Sequence, residues 1–141
     1  MRLLFFITAI MLLASCCNTH VEVIYEYKGL VIKRVDECGI STFYYGDISN
    51  NSPRVWVEYS GINDGFSGYL VFGEREKVML LSGDGYFKSA NSNVRKLGYR
   101  RIAAHERPTS GKGVYYVMLA TKAERERNMN TGSEVKVFYD D

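Results

Sequence analysis

The chain has 141 residues and a formal net charge of +2, a length that favours one domain and a balance that excludes a general binder of nucleic acid or other polyanions. Three cysteines are too few for a disulfide framework or a cysteine-based metal site.

The chain opens MRLLFFITAIMLLASCC. Arg2 supplies a short positive start, and Leu3 to Leu13 is apolar apart from Thr8. As a helix this run spans roughly 16 Å at ~1.5 Å per residue, about half of a bilayer core, too short for a conventional transmembrane helix. A positive start, a short apolar stretch and small residues at its end describe a signal peptide over residues 1–15. When it is removed, Arg2 leaves with it. About 125 residues remain, enough to bury a sizeable core.

Leu13-Ala14-Ser15-Cys16 resembles the lipobox of bacterial lipoproteins, an apolar residue and two small ones before a cysteine. The resemblance covers the first 16 residues only. It implies a diacylated Cys16 thiol, cleavage just before it, and a home in the cell envelope. Cys17, not Asp, follows, which resembles outer-membrane rather than inner-membrane sorting in a Gram-negative cell. Each buried methylene contributes roughly 0.8 kcal/mol, so two or three acyl chains make a lasting anchor where one holds only marginally. Residues 16–20 form a short tether, and residues 21–141 a single β-rich domain. With Cys16 taken by lipid, Cys17 and Cys38 remain. An exported compartment permits a bridge between them; two separate thiols are the alternative.

From Val21 the chain alternates: Val21, Val23, Tyr25 and Tyr27 share one parity, Glu22, Glu26 and Lys28 the other, as in a half-buried strand. Lys28-Gly29 is a tight turn into Leu30 to Val35, Asp36-Glu37-Cys38-Gly39 breaks that run, and a third covers Ile40 to Tyr45. Asp47 to Pro53 has loop chemistry. Arg54 to Tyr59, Phe66 to Phe72 and Lys77 to Leu81 are joined by short turn-forming links, the pattern of a β-meander. Leu70–Phe72, Val78–Leu81 and Val114–Ala120 are apolar on both parities and read as central strands covered on both faces.

One helix is expected from Ser89 or Asn91 to Leu97, stopped by Gly98, with Arg95 and Lys96 in its last turn. A second spans Lys122 to Asn128 behind a Thr121 cap, its Glu-Arg-Glu-Arg run marking a solvated surface, and Glu134 to Tyr139 makes a last strand. The fold class is mainly β: an antiparallel sandwich or partly open barrel of about eight strands with one or two short helices, with α+β as the alternative.

Few residues suggest chemistry. His105 has Glu106 beside it and Ser110 nearby, but adjacent strand residues face opposite ways. No GxSxG, HExxH or glycine-rich phosphate loop occurs. No catalytic residue, metal or cofactor is therefore assigned, and a hydrolase is a minor alternative. Asn63, Asp64 and Asp84 offer oxygens for calcium, yet Asp-Gly pairs at 64–65 and 84–85 are first of all turn signals.

Two sets invite a binding role. Arg95, Lys96, Arg100, Arg101, Arg107 and Lys112 fall within eighteen residues, opposed only by Glu106. If they converge they form an anion-binding face. Trp56 sits on the polar parity of its strand with Arg54 and Glu58, and Tyr44, Tyr45, Tyr115 and Tyr116 form two doublets. Aromatic side chains of this kind give contact area at low entropy cost. The leading expectation is a non-enzymatic lipoprotein that binds an envelope protein or glycan. The alternative is a structural domain held against anionic membrane lipid. The partner and the oligomeric state stay open.

Overall fold

The computed structural model describes residues 20–58, 67–83, 86–90, 96–118 and 121–139. They form ten strands: β1 Val21–Tyr27, β2 Leu30–Glu37, β3 Ile40–Tyr45, β4 Arg54–Glu58, β5 Ser67–Phe72, β6 Val78–Ser82, β7 Tyr86–Ala90, β8 Leu97–Arg101, β9 Val114–Met118 and β10 Val135–Tyr139. A single 3-10 turn, Ala104–Glu106, and one helix, α1 Thr121–Asn130, complete the described elements.

The strands make two sheets, ordered β10-β1-β2-β3-β4-β7 and β8-β6-β5-β9. Neither closes on itself, so the architecture is a β-sandwich and not a barrel. In β1 to β4 each strand pairs antiparallel with the next. Two-residue turns set the first registers: Lys28-Gly29 lets Tyr27 face Leu30, and Cys38-Gly39 lets Glu37 face Ile40. All four turn residues have positive φ (50°, 78°, 46° and 79°), the geometry whose twist matches a hairpin. Glycine meets it without strain in the second position of each.

The meander expected over residues 54–81 does not form. β4 ends its run in the six-stranded sheet, while β5 and β6 pair as a hairpin in the other. The chain returns to the first sheet for β7, then crosses again to lay β8 parallel to β6. Nor is there a helix starting at Ser89, which lies inside β7 and faces Val55, while Leu97 opens β8. Residues 91–95 lie outside the described ones. Leu97 is buried because it enters the core at a strand position beside Val78.

The inner faces supply the core. Val23, Tyr25, Ile32, Phe43, Val55 and Val57 from the larger sheet meet Leu70, Leu80, Tyr115 and Val117 from the smaller. Full burial of each such side chain contributes roughly 1.5–3 kcal/mol. Tyr115 meets both Tyr25 and Phe72 edge-on, at 5.6 and 5.5 Å between ring centroids. At one side of the sandwich Phe87 of β7 stacks on Tyr99 of β8 at 5.0 Å, joining the two sheet edges.

The opposite side is closed by α1. Its Asn128 carboxamide pairs with both backbone groups of Tyr116, accepting from the N–H at 2.8 Å and donating to the carbonyl at 2.9 Å. Glu124 Oε2 accepts from the Met118 N–H at 2.9 Å. Four helical residues rise ~6 Å and two strand residues ~6.6 Å, so positions 124 and 128 match positions 118 and 116. The helix thereby satisfies an edge that would otherwise invite another strand. β9 is thus an edge strand under a helix, not a central one, and the Glu-Arg-Glu-Arg run is not wholly solvated: Glu124 is 1% exposed.

Glu124 also enters a buried polar network. Arg34 of β2 donates from Nη1 to Glu124 Oε2 at 2.8 Å and to the Tyr25 hydroxyl at 2.7 Å. It donates from Nε to Asp36 Oδ2 and from Nη2 to the Met118 carbonyl, both at 3.1 Å. The Tyr25 hydroxyl donates to Glu124 Oε1 at 2.5 Å, and Ser41 Oγ to Asp36 Oδ1 at 2.6 Å. Arg34, Tyr25 and Ser41 are fully buried. No buried side-chain polar atom among the described residues lacks a partner, as a buried ion network requires if it is not to destabilise the fold.

Candidate functional site

The outer face of the four-stranded sheet carries a cleft. Gly68 and Leu70 of β5, and Tyr115 and Val117 of β9, are buried. Strand alternation then sends Tyr69 and Tyr116 outward, where they are register partners. Their rings lie 4.9 Å apart with planes at 49°. On one side Arg127 of α1 lays its guanidinium carbon 3.7 Å from the Tyr116 ring centre, within cation–π range. It gets there because Glu124 and Asn128, its near neighbours on the helix, are fixed to the β9 edge.

The facing wall is residues 102–107 and the end of β6. The Ile102 N–H donates to the Ser82 carbonyl at 3.0 Å, and Arg101 Nε to the Gly83 carbonyl at 3.2 Å. Glu106 accepts from the Ala103 N–H at 2.8 Å, closing the 3-10 turn and holding its carboxyl below the ordinary range. These bonds place Arg107 at the cleft, whose volume is about 380 Å³.

The cleft is positive and rich in donors. Among the described residues neither Arg107 nor Arg127 has a carboxylate within ion-pair distance. Burial pushes the Tyr69 hydroxyl above its ordinary value, Tyr116 adds to this, and the two arginines only partly oppose it. The Tyr69 phenol therefore stays neutral near neutral pH. The guanidinium forks of Arg107 and Arg127 suit a planar anion.

No known protein family, curated protein or solved structure matches this chain.

Of the residues singled out by sequence, the cleft gathers two, Arg107 and Tyr116. The basic set does not converge. Arg95 lies outside the described residues. Lys96 pairs with Glu76 at 3.8 Å and sits 5.5 Å from the Tyr45 ring centre. Arg100 and Arg101 are consecutive on β8 and point to opposite sides. Lys112 lines a separate cleft with Glu26, Lys28, Glu134 and Lys136, where charges of both signs meet.

The aromatic set is equally divided. Trp56 and Tyr44 lie on the outer face of the six-stranded sheet, opposite Thr42 and Arg54. Trp56 is half-buried, beside Glu58 on the same face, which accepts from Lys88 Nζ at 2.7 Å. Tyr45 faces the core side and donates to the Glu76 carbonyl at 3.0 Å. Tyr115 is buried and donates to the Glu26 carbonyl at 2.5 Å. His105 is exposed in the 3-10 turn and makes no hydrogen bond to Ser110 or Glu106. Cys38, in the β2–β3 turn, is disulfide-bonded; Cys16 and Cys17, like Asn63, Asp64 and Asp84, lie outside the described residues. Among the described residues no helix is long and apolar enough to cross a membrane.

Sequence reasoning missed Tyr69 and Arg127. Tyr69 carries no local signal, since only the β5–β9 register brings it to Tyr116. Arg127 was hidden in a run whose charges looked uniformly solvated.

Proposed function

We propose that this chain is an envelope lipoprotein, anchored through lipid on Cys16, whose β-sandwich is a binding module for an anionic partner. The observation that carries the binding half is the cleft: Arg107 and Arg127, both without a carboxylate partner, flank the Tyr69–Tyr116 pair. A site of about 380 Å³ falls in the usual range for small ligands and for single residues of a larger partner. The scatter of Lys96, Arg100, Arg101 and Lys112 favours this over a flat lipid-facing patch, which would need those charges on one face.

The N-terminal chemistry supports the anchor. His20 Nδ1 lies 2.5 Å from Glu37 Oε1, and Glu37 adjoins the disulfide-bonded Cys38. Three residues of chain reach at most ~10 Å, a span that permits a Cys17–Cys38 bridge. In this reading Cys17 is the partner of Cys38, and Cys16 is left for lipid.

Photo-cross-linking in living cells tests the binding face. A photo-reactive residue substituted at Ala104, on the cleft wall, captures one envelope component. The same residue at Thr42, on the outer face of the six-stranded sheet, captures none. Capture from position 42 alone, or from neither, contradicts the assignment.

A further inference from the structure

We infer that the anionic group seated in the cleft is the carboxylate of an acidic sugar residue in a glycan. This rests on the reading of the cleft as the binding site and adds the chemistry of the ligand. Arg107 and Arg127 supply two planar donor forks, whose geometry matches a carboxylate. Arg127 already covers the Tyr116 ring at 3.7 Å. Tyr69 lines the same cleft half-buried, and among the described residues no guanidinium or ammonium lies over it. It is therefore the ring surface left for a ligand, and a bare anion would have no use for it. A sugar ring places C–H groups against such a face while its hydroxyls both donate and accept.

Size and polarity agree with this class. About 380 Å³ is near the lower end of the ~300–1,000 Å³ typical of ligand pockets, room for one or two sugar rings. The lining mixes polar Ser67, Ser82 and the two arginines with apolar Ile102, Val117 and Met118, and polar surface is the larger share. A sugar, with hydroxyls and C–H faces on one ring, suits such a mixed lining better than an acyl chain, which needs an apolar one throughout.

The test is calorimetric titration of the full chain extracted in detergent. The acidic saccharide probes are tri-galacturonate, N-acetylmuramic acid and sialyllactose. The comparators are the methyl ester of tri-galacturonate, citrate, inorganic phosphate and anionic phosphatidylglycerol vesicles. At least one acidic saccharide binds about tenfold more tightly than citrate, and esterification weakens tri-galacturonate by about tenfold if that is the ligand bound. Tyr69→Ala weakens the saccharide about tenfold and leaves citrate within about twofold, whereas Arg127→Gln weakens both. If Tyr69→Ala fails to fold, Tyr69→Phe, which keeps the ring, retains saccharide binding within about threefold, since the stacking surface survives.

Citrate or phosphate binding as tightly as every acidic saccharide overturns the sugar assignment and leaves the anion site standing. Preference for the vesicles overturns it in favour of a lipid headgroup. Failure of every probe to bind the folded wild-type protein removes the anion site as well.

Discussion

Glu124 shows how one carboxyl can be placed against its own solvation. Burial pushes its pKa above the ordinary range, and Arg34, the Tyr25 hydroxyl and the Met118 N–H only partly offset this. Arg34 is itself held as a cation above its ordinary value, because the surrounding acidic groups outweigh its burial. The folded chain thus binds the Glu124 proton more tightly than the unfolded chain, where a glutamate titrates near ~4.3. Its contribution to stability is full below that unfolded value and is lost as pH rises through the folded one. Glu124→Gln is expected to flatten this fall, measured as the urea midpoint from about pH 4.5 to 8. The same change removes one charge from a buried pair and costs about 3–5 kcal/mol. An unchanged pH slope in the variant would place the titrating group elsewhere.

At the scale of elements, α1 joins the sandwich through side chains acting as a strand's backbone would. Asn128→Ala removes both bonds to Tyr116 and leaves a buried N–H without an acceptor, a loss of about 1–3 kcal/mol. Hydrogen exchange of the Tyr116 amide measures it directly: protection falls in the variant, while the Val23 amide on the opposite sheet keeps its own. What the sequence disclosed follows from the same physics. Alternation from Val21 and the Lys28-Gly29 turn are local signals, and both strands and hairpin were legible. So was α1, from its Thr121 start to its polar body. Its buried face was not, because Glu124 and Asn128 look like surface residues until the β9 edge is beside them. The helix expected from Ser89 or Asn91 does not reach Leu97 for a related reason: Val94 and Leu97 fit a helical spacing, but Leu97 is buried as a strand residue next to Val78. The cleft was half legible, since Arg107 and Tyr116 stand out by charge and doublet, whereas Tyr69 depends on cross-strand register and Arg127 on helix phase.

For the whole molecule, we propose a lipid anchor on Cys16 joined to a binding cleft made from β5, β9, α1 and residues 102–107. In that proposal the anchor decides what the cleft can meet, because a lipid-held protein samples envelope components. In the same proposal lipid and the disulfide to Cys38 each take one N-terminal cysteine. They can be told apart by mass. The measurement is the intact mass and non-reducing peptide map of the membrane-extracted protein beside a Cys16→Ser variant. The account predicts a chain beginning at Cys16, carrying acyl chains that the variant lacks, with Cys17 and Cys38 in one disulfide-linked peptide. An unlipidated chain, or Cys38 linked to Cys16, would contradict it.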